Sequence, residues 1–103
     1  MNDSNKITAV TLPKMGLTME TGSVAVWHVE ENAEVKEGDE IADIETEKVT
    51  TAYEAPASGV WRRTIATIGE DLPVGDLIGI ISAADVSEAD IDQFINAFTN
   101  TMK

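Results

Sequence analysis

The chain is 103 residues long, enough for one small domain with a single modest core. It has no cysteine, which excludes disulfides, thiolate metal sites and thiol nucleophiles and fits a reducing compartment. Nineteen acidic residues against seven basic ones leave a net charge of −12, which opposes nucleic acid and anionic membranes and favours a cationic protein surface as partner.

The opening residues, Met1 to Lys6, lack the apolar core of a signal peptide and the arginines of a transit peptide, so a cytoplasmic protein is expected. Short β-branched runs then predict strands at Ile7–Leu12, Ser23–Val29, Ile41–Thr46, Val49–Ala55, Gly59–Ile65 and Leu77–Ser82. Turn residues separate them at Pro13 to Gly16, Gly38-Asp39, Pro56 to Gly59, Gly69 to Asp71 and Gly75-Asp76. Strands of this length and spacing read as an all-β sandwich or barrel. Alternation falters near Ile41 and Ile44, where a bulge or twist is expected. The longest apolar run, Leu77 to Ala84, is too short to span a bilayer.

Past residue 82 the period changes. Ser87 is a predicted N-cap with acids in the first turn, and Ile91, Phe94, Ile95 and Phe98 form one apolar stripe of a short amphipathic helix. The stripe either packs on the β domain or begins a following region. The expected division is therefore a β domain over 7–82 and a linker with a short helix over 83–103, leading to a further region.

The sequence also repeats itself. A shift of 37 places lays Gly22 on Gly59, Val35 on Leu72, Gly38 on Gly75, Asp39 on Asp76, Ile41 on Ile78 and Ile44 on Ile81. Two similar halves in a small β domain imply two sheets related by pseudo-symmetry.

Few residues offer chemistry. His28 is the single histidine and reads as an ordinary strand residue, which leaves no basis for a metal site or a histidine-activated nucleophile. The carboxylates are scattered as on a solvated surface. Arg62 and Arg63, adjacent in a strand, are expected to point to opposite faces. Trp27 and Trp61 read as core or half-buried strand residues. Met15 and Met19 are either loop packing or part of a recognition surface. Lys48 differs: Asp43-Ile44-Glu45-Thr46-Glu47-Lys48-Val49-Thr50-Thr51 reads as strand, short polar turn, strand, with an amine at the tip. The turn lacks glycine, so a type I-like geometry is expected. With no general base nearby, Lys48 suits a tether modified by another enzyme rather than a nucleophile.

The chain resembles the lipoyl domains of dihydrolipoamide acyltransferases, the E2 components of 2-oxo acid dehydrogenase complexes. The residues that carry the resemblance are Leu12-Pro13-Lys14-Met15-Gly16-Leu17-Thr18-Met19-Glu20-Thr21-Gly22, Trp27, Val35 to Asp39, Ile44-Glu45-Thr46-Glu47-Lys48-Val49 and Glu54-Ala55-Pro56-Ala57-Ser58-Gly59. Two departures are visible: Glu47-Lys48-Val49 where Asp-Lys-Ala is usual, and Asn32-Ala33-Glu34 in place of a common Gly-Asp. The resemblance implies a flattened β-barrel of two four-stranded sheets with quasi-twofold symmetry. It implies lipoic acid in amide linkage on Lys48, flanked by Glu47 and Val49, and partner recognition through Met15, Gly16, Leu17, Thr18, Met19, Glu45 and Thr46. Such an arm shuttles acyl groups and reducing equivalents between a thiamine-diphosphate E1, an E2 catalytic domain that uses coenzyme A and an FAD-dependent E3, after attachment by a lipoyl ligase or transferase. The domain alone is then a carrier, not an enzyme. The opening and tail are most similar to the N-terminal lipoyl region of acetoin dehydrogenase acyltransferases, in which a hydrolase-like catalytic domain follows. A biotinyl domain shares the fold but flanks its lysine with methionines, and a glycine-cleavage-type carrier fits the Pro13–Gly22 segment poorly. From another class, the chain could be an unmodified acidic β interaction module.

Overall fold

The computed structural model describes residues 7–16 and 19–101. In chain order these form β1 (Ile7–Thr11), β2 (Thr21–Trp27), β3 (Glu34–Val35), β4 (Glu40–Glu45), β5 (Thr50–Glu54), β6 (Gly59–Thr64), β7 (Leu72–Pro73), β8 (Leu77–Ser82) and α1 (Glu88–Thr101). The strands make two four-stranded antiparallel sheets, ordered β1-β8-β6-β3 and β5-β4-β2-β7. Replacing each strand by the one four places away converts one order into the other, which is the quasi-twofold relation the repeat implied.

The six expected strands recur within two residues of their expected bounds; β3 and β7 are additional. Two residues cannot display an alternating pattern, and Pro73 argues against a strand except at an edge, where β7 lies. His28 falls just beyond β2 rather than within it, its N–H donating to Ile41 O at 2.8 Å.

The repeat extends to individual hydrogen bonds. Asn32 N–H donates to Trp61 O (2.7 Å), and 37 residues along Gly69 N–H donates to Val24 O (3.0 Å). His28 N–H to Ile41 O is matched by Ile65 N–H to Ile78 O (2.9 Å). Asp39 N–H to Lys36 O (2.9 Å) is matched by Asp76 N–H to Pro73 O (3.1 Å). The glycines obey the same relation: Gly38 and Gly75 take φ of 95° and 96°. A Cβ at Gly22 would meet Glu45 O at 3.3 Å, and one at Gly59 would meet Ser82 O at 2.8 Å. Asn32, at φ 77°, stands where Gly69 stands in the other half at φ 86°, so the asparagine adopts the left-handed conformation itself.

The main core lies between the sheets and includes Val10, Leu12, Val24, Ile41, Ile44, Trp61, Ile78 and Ile81. Trp61 is fully buried and donates to Thr64 Oγ1 at 2.7 Å, while half-buried Trp27 donates to Ala66 O at 3.3 Å. The two rings meet at a centroid distance of 5.3 Å. Register shifts occur at four places, including the one between Glu40 and Ala42 that spans Ile41, one of the two positions where alternation faltered. The shift between Val10 and Thr11, opposite Ile78, lets Ile78 and Ile81 face the main core while Ile80 faces outward.

That outward face is where the helix sits. Ile91 is buried among Ile7, Ile80 and Val86, with Phe94 and Ile95 packed beside them. The stripe therefore packs on the β1–β8 surface, one of the two possibilities left open by its periodicity. Ser87 Oγ accepts from Asp90 N–H at 3.1 Å, as expected of an N-cap, and Phe98 stacks on Phe94 at 6.4 Å.

Arg62 and Arg63 require a correction. They do not serve opposite faces: the register shift between Trp61 and Arg63 breaks the two-residue period, and both guanidinium groups reach Glu88. Arg62 is buried and bonds Glu88 at 2.9 Å, Ser82 Oγ at 3.0 Å and Ala83 O at 3.0 Å. Arg63 bonds Glu88 at 2.6 Å and Asp92 at 2.8 Å. Together they fasten the first turns of α1 to β6.

Candidate functional site at the β4–β5 turn

β4 and β5 pair antiparallel up to Glu45 and Thr50, and residues 46–49 join them. Thr46 N–H donates to Val49 O at 2.8 Å, closing a two-residue turn with Glu47 and Lys48 at its tip. Neither takes a positive φ, which excludes the I′, II′ and II turns and is compatible with the expected type I-like geometry. The Thr46 hydroxyl supplies the remaining ties, accepting from Lys48 N–H (3.3 Å) and Val49 N–H (3.2 Å) and donating to Val49 O (3.2 Å).

Glu47, Lys48 and Val49 are exposed, and among the described residues the Lys48 amine has no carboxylate partner. A primary amine so placed can be approached by a large modifying enzyme and can hold an acyl chain clear of the barrel. Its side chain borders a cleft of about 740 Å³ lined by Met15, Gly16, Met19, Glu45, Thr46 and Glu47, with Gly69 and Asp71 contributed by the β6–β7 connection. The structure thus brings five of the seven residues expected in recognition beside the lysine; Leu17 and Thr18 lie outside the described residues. Gly69 and Asp71 were not expected there, because no local pattern tells which distant loop abuts a hairpin.

Met15 and Met19 do two things. Both are half-buried and packed against the main core, and both line the cleft. Met15 N–H approaches Met19 Sδ at 3.1 Å, and Met19 N–H donates to Gly16 O at 3.2 Å. This connection marks the main departure from symmetry: nine residues, 12–20, join β1 to β2, whereas four, 55–58, join β5 to β6. The β8–α1 junction lies at the other end of the barrel, where Ala84 shares a hollow with Glu37, Asp39 and Ser58 near the start of β4.

Elsewhere, His28 Nε2 lies 3.1 Å from Asp43 Oδ1 on the exposed surface. Among the described residues no group of three or more side chains could hold a metal ion, and no helix is long and apolar enough to cross a membrane.

A family model described as Biotin-requiring enzyme, covering biotin and lipoyl attachment domains, matches residues 8–81. The chain belongs to this family. Among solved structures it is similar to the lipoyl domain of the 2-oxoglutarate dehydrogenase complex from Azotobacter vinelandii, at 31% identity and a TM-score of 0.60, covering 72% of this chain and 94% of that one. It is 42% identical over 95 residues to the dihydrolipoyllysine-residue acetyltransferase component of the acetoin cleaving system of Cupriavidus necator. The namesake component of Pseudomonas putida is 40% identical over 94 residues. These alignments cover 92% and 91% of this chain, but the chain spans only a quarter of the length of either relative, 25% in each case.

As a lipoyl domain the chain is a carrier rather than an enzyme in its own right, and the family implies covalently attached lipoic acid. The residues present fit that group. An amide link needs an accessible primary amine, and the β4–β5 turn presents one with open solvent before it.

Proposed function

We propose that Lys48 bears the lipoyl group and that the chain is the carrier of a dihydrolipoamide acyltransferase. The observation that carries this reading is the exposed amine, without a carboxylate partner among the described residues, at the tip of a turn closed by bonds between Thr46 and Val49. When bound, lipoic acid supplies a disulfide able to take up an acyl group and two electrons. The protein's part is to hold the arm's root rigidly while leaving its far end free. A tethered group meets successive active sites at an effective concentration set by the tether, without dissociating between them.

The partners in this reading are a thiamine-diphosphate E1, an E2 catalytic domain using coenzyme A, an FAD-dependent E3 and a lipoyl ligase or transferase. The acetoin-cleaving relatives support a parent complex of that type. Met15, Gly16, Met19 and Glu45, which line the cleft beside Lys48, form the surface these enzymes read.

The test is intact mass after incubation with a lipoyl ligase, ATP and lipoate. We expect the gain of one lipoyl group, and no gain for Lys48→Ala. An unmodified chain in the presence of a ligase that modifies a control domain rejects the reading and favours an unmodified interaction module. Exchanging the pair, Glu47→Lys with Lys48→Glu, should abolish modification; equal modification of that variant would show that placement at the tip is immaterial.

A further inference from the structure

We propose that Thr46 is a positioning residue for the modification of Lys48, rather than part of the surface read by partner enzymes; the inference rests on the carrier reading of Lys48. The two ends of this turn are closed unequally. One bond is the ordinary main-chain one, Thr46 N–H to Val49 O at 2.8 Å. On the other side the Val49 N–H turns to the Thr46 side chain, Oγ1, at 3.2 Å. The same oxygen accepts from Lys48 N–H at 3.3 Å and donates to Val49 O at 3.2 Å.

A hydroxyl has one donor and two acceptor positions. All three are engaged inside the turn, so Thr46 has nothing left to offer a partner. What it does instead is fix the backbone of the residue to be modified. Glycine cannot be the device here, since the turn contains none, and proline is absent as well. Among the described residues no other side chain bonds to the backbone of Glu47, Lys48 or Val49.

A modifying enzyme that accepts only one turn conformation binds in proportion to the fraction of molecules that hold it. Loss of the hydroxyl therefore raises the apparent KM for the domain and leaves the transfer step unchanged once the turn is bound. A hydrogen-bond contribution of ordinary size corresponds to about a three- to tenfold change.

The experiment compares Thr46→Val, which keeps the shape and removes the hydroxyl, with Thr46→Ser, which keeps the hydroxyl. Amide hydrogen exchange of Lys48 and Val49 is measured without any ligase, and KM and kcat for lipoylation are measured with one. We expect Thr46→Val to speed exchange at both amides by about three- to tenfold, to raise KM by a similar factor and to leave kcat and the thermal midpoint near the wild-type values. Thr46→Ser should restore exchange and KM together. Unchanged exchange in Thr46→Val, a fall in kcat at constant KM, or no rescue by serine overturns the proposal. Failure of the carrier reading is told apart by the wild-type chain, which would then gain no mass at all, while the exchange rates still decide what the hydroxyl does to the turn.

Discussion

The six-membered ring of Trp61 lies against the backbone of Gly79, where a Cβ would overlap ring positions Cζ2 and Cη2. Overpacking at a fully buried site costs about 1–3 kcal/mol, so Gly79→Ala should lower the urea midpoint while leaving the slope of the transition unchanged. Asn32 makes the opposite kind of demand, of conformation rather than space. Its φ of 77° is held by the N–H bond to Trp61 O. Asn32→Gly should be nearly neutral in the same measurement, whereas Asn32→Ala should cost about 1 kcal/mol for a Cβ in the left-handed region. Lys48 was legible in the sequence because a lone cation in an acidic strand-turn-strand segment contrasts with its surroundings. Thr46 was legible only as a member of the motif. Its bonding could not be read, because a threonine beside a turn either faces solvent or folds back on the chain, and only the geometry separates the two.

Helix α1 is held by two different forces, apolar burial at Ile91 and charge at Glu88. Hydrogen bonds from Arg63 first and Arg62 second hold the Glu88 carboxyl below the usual carboxylate range. A carboxyl lowered in the folded state stabilises docking above its ordinary value, about 4.3, and that stabilisation is lost as pH falls through the lowered value. Far-UV helicity or exchange of the α1 amides, followed from pH 7 downward, should therefore show α1 loosening at acid pH before the sheets open. In Glu88→Gln that loosening should be weaker in its pH dependence. Periodicity was enough to place the helix but not its destination. The stripe specifies an apolar face, while the acceptor surface depends on register shifts in β1, β6 and β8 that arise from cross-strand pairing. The same shifts defeated the expectation for Arg62 and Arg63.

The whole molecule is a duplicated frame whose two halves have been dressed differently. One outer face carries Ile7, Leu77 and Ile80 and is covered by α1; the equivalent positions of the other half are Thr50, Glu40 and Asp43, which tolerate water. Such a surface, with a net charge of −12, repels itself. Raising ionic strength from low salt to about 0.15 M, where screening acts over ~8 Å, should raise the thermal midpoint by a few degrees; a midpoint that is flat or falls with added salt would show that the charges are locally compensated. The frame was readable from the repeat because its turns recur at one spacing. The halves also differ in length, in the connection from β1 to β2. That connection is clamped at its base: Leu12 N–H donates to Asp76 O, Gly75 N–H donates to Leu12 O, and Thr21 pairs with Pro73. Because its equivalent, 55–58, closes the same kind of gap with four residues, the surplus length is not needed to close the barrel, although Leu12, Met15 and Met19 of that connection also pack on the core. On the proposed carrier reading, such a domain is redirected to new enzymes by rewriting the exposed positions of one loop, while the barrel and Lys48 stay as they are.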